Sequence, residues 1–182
     1  WYAGPTLVEY LEAAPVGDDL TDKPFRMPVQ WVSRPNLDFR GFAGIVVGGG
    51  VRVGDPIRVL PSGRQSHIAR IVVGDTDSQS ATAGQSITVT LTDEVDVSRG
   101  DMLVRPDSPP HVSSQIEAMV VWMAEQPLVP GRTYTLKHTT RQVAGEVASF
   151  RYGVDVNTLE HRAIARLGLN EVGHVQLSLT QA

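Results

Sequence analysis

Short stretches in which apolar and polar residues alternate dominate the chain from Phe25 to Arg105. In the clearest of them, Ser86 to Thr92, the apolar Ile87, Val89 and Leu91 alternate with hydroxyl-bearing residues. A period of two places apolar side chains on one face of a strand and polar side chains on the other. This stretch therefore predicts a strand with one buried face and one face in water.

The same period recurs along the first half of the chain, and turn residues separate its repeats. Ile57 and Val59 follow it, and Pro61 to Gly63 then supplies the proline and glycine that a tight turn needs. About six short strands are expected before Arg105 by this reading. Closure into a barrel is the favoured arrangement, because it leaves no long strand edge bare.

A run of three glycines, Gly48 to Gly50, lies between two apolar segments. Glycine takes positive φ without a Cβ clash, so the run predicts a tight hairpin or bulge joining a strand at Phe39 to Val47 with a strand at Val51 to Asp55. Ser33 to Asp38 is expected to be a polar loop. A phosphate-binding loop is the alternative, but it needs a lysine and a hydroxyl directly after the glycines, where this chain has Val51 and Arg52.

Two polar, proline-flanked segments divide the chain. Pro15 to Pro24 and Pro106 to His111 both read as linkers. Before the first of them, a short helix is expected, with Pro5 in its opening turn and an apolar stripe at helical spacing made by Leu7, Val8, Tyr10 and Leu11. The predicted divisions are a helix and linker over 1–20, a first barrel over 21–108 and a second barrel over 109–182.

The second half also has mainly strand patterns. Strands are predicted over Ser113 to Met123, Val143 to Tyr152 and Val175 to Leu179, and another around Tyr134 and Leu136, whereas Ala163 to Leu169 fits either a strand or one helical turn. The predicted fold class is therefore all-β, with two small β-barrel domains and a short N-terminal helix.

Composition narrows the classes of function. The chain has 182 residues, a net charge of −4, 41% hydrophobic residues and no cysteine. These values fit a globular protein in a reducing cytoplasm and exclude disulfides and thiolate metal sites. Because the charges are interspersed and no long apolar run occurs, neither nucleic-acid binding nor a membrane span is expected.

Candidate catalytic chemistry is sparse. No GxxxxGK[ST] phosphate loop occurs, and the five histidines lack close ligand spacing, so catalytic, cofactor-binding and metal sites are all predicted to be absent. A triad of Ser66, His67 and Asp75 lacks the context of a nucleophile elbow.

One dense polar cluster remains, made of Arg34, Asn36, Asp38, Phe39 and Arg40. It is either a loop held by its own Asn and Asp side chains or a contact with another domain.

The segments RPNLDFRGFAG and GxVRVGD, together with LPSG, resemble the GTP-binding subunit of bacterial sulfate adenylyltransferase, a member of the elongation-factor-like GTPases. WMAEQPLVPGRTYTLK, VDVNTLE and LNEVGHVQLSL extend the resemblance through the second half, and WYxGPTL resembles the closing helix of the GTPase domain. The resemblance implies elongation factor Tu-like second and third barrel domains, with the third domain left with an open edge.

The resemblance also implies a parent enzyme that makes adenylylsulfate from ATP and sulfate, driven by GTP hydrolysis. GTP and Mg would then bind a GTPase domain outside this chain. The implied partners are that domain and a small catalytic subunit, and the family allows a fused adenylylsulfate kinase after the C terminus. In this interpretation the polar cluster touches the GTPase domain.

Two alternatives stay open: barrel domains of a translation factor that bind aminoacylated RNA, and a free-standing structural barrel on which the N-terminal helix packs.

Overall fold

The computed structural model describes residues 3–14, 20–36 and 39–182. It begins with helix α1 (Leu7–Ala13) and a 3₁₀ turn (Leu20–Asp22). Ten strands follow in the first half: β1 (Arg26–Pro28), β2 (Trp31–Asn36), β3 (Phe39–Ile45), β4 (Gly50–Arg52), β5 (Pro56–Leu60), β6 (Gln65–Val73), β7 (Thr76–Ser78), β8 (Ser80–Thr82), β9 (Ser86–Leu91) and β10 (Met102–Val104). Five follow in the second: β11 (Gln115–Val121), β12 (Thr133–His138), β13 (Arg141–Val154), β14 (His161–Arg162) and β15 (Val172–Leu179).

The first-half strands form an antiparallel barrel. Along its main path the strand order is β1, β10, β5, β6, β9, β3 and β2. Backbone hydrogen bonds close the ring between β1 and the end of β3: Arg26 N donates to Gly48 O at 3.0 Å, and Val47 N donates to Arg26 O at 2.9 Å. The prediction of an all-β fold with a barrel in this half is confirmed.

Alternation explains the core of this barrel. Ile87 and Val89 of β9 are buried, as are Ile57 and Val59 of β5, while the residues between them are more exposed. They pack with Phe42 of β3 in one buried apolar cluster. Burial of such side chains contributes about 25 cal/mol per Å² of apolar area removed from water, which is the main stabilisation expected for this half of the chain.

At the glycine run the chain leaves the sheet that contains β3 and enters the one that contains β4, so the predicted hairpin is wrong. Strand β4 pairs with β8, and β3 pairs with β2 and β9. Gly49 has a φ of +67°, and a Cβ added there would lie 2.4 Å from Lys23 O and 2.5 Å from Phe25 N. The glycines thus let the chain pass against the backbone of residues 23–25 on its way to a different strand partner.

The polar segment Ser33 to Asp38 also differs from the expected loop. Strand β2 continues through Asn36, which pairs with Phe39 of β3 after an irregularity in the register. Pro35 is tolerated because β2 ends the sheet on one side, where a missing N–H breaks no ladder. Asp38 lies outside the described residues.

The second half folds around a separate sheet of order β11, β15, β13 and β12, with β14 added on β13. Within the described part of the chain, β11 and β12 have no partner strand on their outer sides. Ala163 to Leu169 is neither a strand nor a helical turn; it contributes only a bridge between Leu167 and Leu128.

The second core is less completely covered than the first. Leu128, Val147, Leu167, Val175 and Leu177 are buried, but the apolar residues packed against them, including Trp122 and Leu136, remain partly exposed. This agrees with the two unpaired strand edges. In the described ranges, no helix is long and apolar enough to cross a membrane.

A substitution at the glycine crossing tests its role. Gly49→Ala is expected to lower the free energy of unfolding of the first barrel by about 3 kcal/mol or more, because left-handed strain of about 1–2 kcal/mol adds to the clash with residues 23–25. The matched control is Gly74→Ala, at φ +60° with nothing within 4 Å of an added Cβ, which should cost only the strain. Urea unfolding curves measure both, and equal losses would contradict the crowding argument.

Candidate functional site

A groove of about 760 Å³ opens where β2 and β3 meet the end of β9. Four of the five residues of the predicted polar cluster line it: Arg34, Asn36, Phe39 and Arg40. The fifth, Asp38, lies outside the described residues. The antiparallel pairing of β2 with β3 explains why residues close in sequence share one surface.

Arg40 lies over the buried core at the base of this groove. Its guanidinium carbon is 5.4 Å from the centre of the Phe42 ring, and its Nη2 is 3.3 Å from Asp96 Oδ1. Asp96 is 92% exposed, so this ion pair contributes little in water. Arg40 Nε is buried and has no hydrogen-bond partner in the part of the chain that the structure describes.

Asp93 lies in the segment after β9 and also lines the groove. Its Oδ2 accepts hydrogen bonds from Ser66 Oγ at 2.7 Å and from Thr92 Oγ1 at 3.0 Å. The hydrogen bond from Ser66, then that from Thr92, lowers the pKa of Asp93, and the nearby His67 adds a smaller electrostatic effect. Asp93 is therefore ionised at neutral pH, and the two hydrogen bonds orient its carboxylate.

The remaining charges of the groove divide into paired and unpaired groups. Arg70 forms an ion pair with Asp77 at 2.6 Å. Arg34 and Glu94, by contrast, have no ion-pair partner among the residues that the structure describes. Among the described lining residues, Arg34 is thus a cation without an ion pair, and Asp93 and Glu94 are anions without one, although Asp93 accepts hydrogen bonds from two hydroxyl groups.

This arrangement suits binding. Ser66 donates directly to Asp93, without the intervening histidine of a Ser-His-Asp triad. Over 3–14, 20–36 and 39–182, no three His, Asp or Glu side chains come together as a metal site. Fixed charges around a concave surface can instead orient a partner that carries complementary charges.

Sequence reasoning missed Arg70, Asp93 and Glu94. These residues reach the groove only because β9 pairs with both β3 and β6, which are far from one another in sequence. The one local signal was the acidic pair directly after the alternating strand at Ser86 to Thr92.

Helix α1 offers a second candidate contact surface. It begins with a capping box in which Glu9 N donates to Thr6 Oγ1 at 3.3 Å and Thr6 N donates to Glu9 Oε2 at 2.7 Å. No residue of the helix is buried, and Leu7 and Tyr10 are 73% and 61% exposed. The alternative of a helix packed on the barrel is therefore less supported.

Comparison with known proteins finds relatives that match the whole chain. The chain is 51% identical over all its 182 residues to sulfate adenylyltransferase subunit 1 of Tolumonas auensis and covers 39% of that protein. It is 50% identical over 98% of its length to the bifunctional enzyme CysN/CysC of Xylella fastidiosa, of which it covers 29%. The family described as GTP-eEF1A C-terminal domain-like matches residues 115–182.

Over its whole length the chain is similar to one part of sulfate adenylyltransferase subunit 1, at about 50% identity. The resemblance read from the sequence is thereby confirmed. The chain spans about two fifths of the length of the subunit 1 relatives that it matches.

Solved structures confirm the fold of this chain. It superposes on Sup35 complexed with GDP with a TM-score of 0.82 at 19% identity, covering all of this chain and 45% of the other. It superposes on elongation factor SelB from Methanococcus maripaludis, apo form, with a TM-score of 0.71 at 20% identity, covering 96% of this chain and 39% of the other. At these identities the likeness shows the elongation-factor-like barrel fold alone.

Removing the Ser66 hydroxyl should raise the Asp93 pKa toward its ordinary value. A lowered pKa in the folded state stabilises above the unfolded Asp pKa of about 3.9, and this stabilisation disappears as the pH falls through the folded pKa. Ser66→Ala should therefore reduce the free energy of unfolding more at pH 7 than at pH 2.

Carboxyl ¹³C NMR titration and urea unfolding at the two pH values measure these effects. Glu117 is the internal control, since Arg151 in the second sheet is the main cause of its lowered pKa. An unchanged Asp93 pKa in the variant would show that the Ser66 bond does not hold the carboxylate.

Proposed function

We propose that this chain is the non-catalytic barrel region of the GTP-binding subunit of sulfate adenylyltransferase. In this proposal the complete enzyme forms adenylylsulfate and pyrophosphate from ATP and sulfate, driven by GTP hydrolysis. The observation that carries it is the 51% identity to subunit 1 over the whole chain. The proposed divisions are the closing helix and linker at 1–20, a barrel at 21–108 and a barrel at 109–182.

The role that we propose for the barrels is to brace the nucleotide-binding domain and to transmit its state. GTP and Mg bind that domain in this account, because no phosphate loop occurs in these 182 residues. Two surfaces support the proposal. The apolar stripe of α1 is exposed, and an isolated helix of seven residues is marginal in water without a partner. The charged groove beside β2 is the second such surface.

The proposed partners are the parent's own GTPase domain and a small catalytic subunit, in the cytoplasm. The name "subunit 1" of the relatives supports an assembly of more than one kind of subunit. The relatives called bifunctional enzyme CysN/CysC, from Xylella fastidiosa and Rhodopirellula baltica, support a fused adenylylsulfate kinase in some parents.

The first test uses Arg40→Ala in the full-length subunit assembled with its catalytic partner. Loss of a contact that distinguishes the two nucleotide states should reduce the GTP stimulation of adenylylsulfate formation by about 5-fold or more. Arg151→Ala is the matched control, because Arg151 forms an exposed pair with Glu117 on the other sheet. Unchanged stimulation in Arg40→Ala would contradict a transmitting role for the groove.

The second test uses this chain alone. It is expected to bind no GTP at micromolar concentrations and to form no adenylylsulfate, since it carries neither a phosphate loop nor a catalytic cluster. Calorimetric titration with Mg-GTP checks the first point. Micromolar binding would overturn the assignment of the nucleotide site to another domain.

A further inference from the structure

A second concave surface, a cleft of about 470 Å³, lies where the turn before β10 meets the turn between β12 and β13. It is lined by Arg99, Gly100, Thr140, Arg141, Gln142 and Gln181. The first two of these residues belong to the first half of the chain, and the other four belong to the second half. The cleft therefore lies at the junction of the two halves, and it shares no lining residue with the groove beside β2.

Gly100 shows how closely the two halves approach each other. Its φ is +100°, and a Cβ added there would lie 3.5 Å from Arg141 Cα. The backbone of the first half thus packs directly against the start of β13. This contact brings Arg99, the neighbour of Gly100, to the same cleft as Arg141.

The charge of the cleft is opposite to that of the whole chain. Its lining has two guanidinium groups, and among the described residues that form it none is acidic. The other lining side chains offer a hydroxyl and two amides, whereas the chain as a whole has a net charge of −4. A concave surface that gathers charge of one sign concentrates the potential and attracts ions of the opposite sign. The cleft therefore favours an anion.

Neither guanidinium group is hydrogen-bonded to a carboxylate in the described part of the chain. Arg99 Nη1 donates to Gln30 O at 2.6 Å, and Arg141 Nη2 donates to Gln181 Oε1 at 3.2 Å, and both of these acceptors are neutral. Asp101 Oδ1 lies 4.0 Å from Arg141 Nη1, which is longer than the roughly 2.7–2.9 Å of a charge-assisted hydrogen bond. The positive charge of both side chains is thus left largely available to a ligand.

Hydrogen-bonding capacity also remains unused beside the cleft. Arg141 Nε and Thr140 Oγ1 are both buried, and neither has a hydrogen-bond partner among the residues that the structure describes. Buried polar atoms without partners are unfavourable and therefore uncommon in folded proteins. Two such atoms in neighbouring lining residues mark this junction as one that the protein's own groups leave incomplete.

We propose that the cleft between the two halves binds a small tetrahedral oxyanion of the sulfate or phosphate class. The oxygen atoms of such an ion match the paired N–H groups of a planar guanidinium, and its charge is complementary to the two arginines. The described lining has no aromatic side chain on which a nucleotide base could stack, which favours a free ion over a nucleotide. An ion held by both Arg99 and Arg141 would also join the first half of the chain to the second.

A ¹H–¹⁵N NMR titration of this chain with sodium sulfate, and separately with sodium phosphate, tests the proposal. Sodium chloride keeps the ionic strength constant, so general screening does not change along the series. The amide signals of Gly100, Thr140 and Arg141 should shift and reach saturation below about 10 mM of either ion, as expected for a dissociation constant of about 1 mM. No phosphate loop occurs in these 182 residues to compete for the ion.

Variants of the two arginines assign the effect to the cleft. Arg99→Gln and Arg141→Gln should each weaken binding by about tenfold or more, because each removes one charged partner of the ion. Arg141→Lys keeps the charge and loses the planar pair of donors, so it should weaken binding less than Arg141→Gln. The matched control is Arg151→Gln, in an exposed ion pair with Glu117, which should leave the binding unchanged.

Unchanged amide shifts in β9 and β15 verify that both halves of each variant remain folded. If Arg141→Gln disturbs the junction itself, Arg99→Gln decides the outcome. Shifts that rise without saturation, or that saturate equally in Arg99→Gln and in the unmodified chain, would mean an adventitious ion only and would overturn the proposal. A parallel titration with AMP separates a free ion from a phosphate ester, since binding of AMP about tenfold tighter than phosphate would assign the cleft to a nucleotide instead.

Discussion

The hydrogen bonds that close the first barrel are the interaction on which the rest of the structure depends. The backbone of Arg26 bonds to residues 47 and 48, which joins the first strand of the barrel to the end of β3. Closure satisfies backbone groups that would otherwise form two exposed edges, and it encloses the apolar core. The ring also contains β3 and β9, which pair with each other beside the groove.

The strands that could be predicted are those whose pattern is local. In β9 the polarity of each side chain indicates which face of the strand it occupies. Alternation is therefore enough to place Ile87 and Val89 in the core. Strand pairing depends on residues that are distant in sequence. For that reason the hairpin predicted at the glycine run is wrong. Three glycines show that the chain turns or passes close to another backbone, but they do not show that β4 will pair with β8. The polar residues from Ser33 to Asp38 similarly predicted a loop, where β2 continues as a strand through Asn36 and its end position tolerates Pro35.

Only some of the residues that line the groove could be predicted from the sequence. The arginines of β2 and β3 are close in sequence, and their density predicted either a loop held by its own side chains or a contact with another domain. The acids after β9 join them through long-range strand pairing, which no local pattern contains. The helix shows the opposite case: its capping box and apolar stripe are local signals, but whether the stripe is buried depends on what packs against it. In the described chain nothing covers it.

The most direct measurement is a structure, by crystallography or electron microscopy, of the full-length subunit with bound nucleotide. The account predicts that the apolar stripe of α1 and the charged groove beside β2 are both covered by the nucleotide-binding domain. A structure in which both surfaces remain open to solvent would contradict the account.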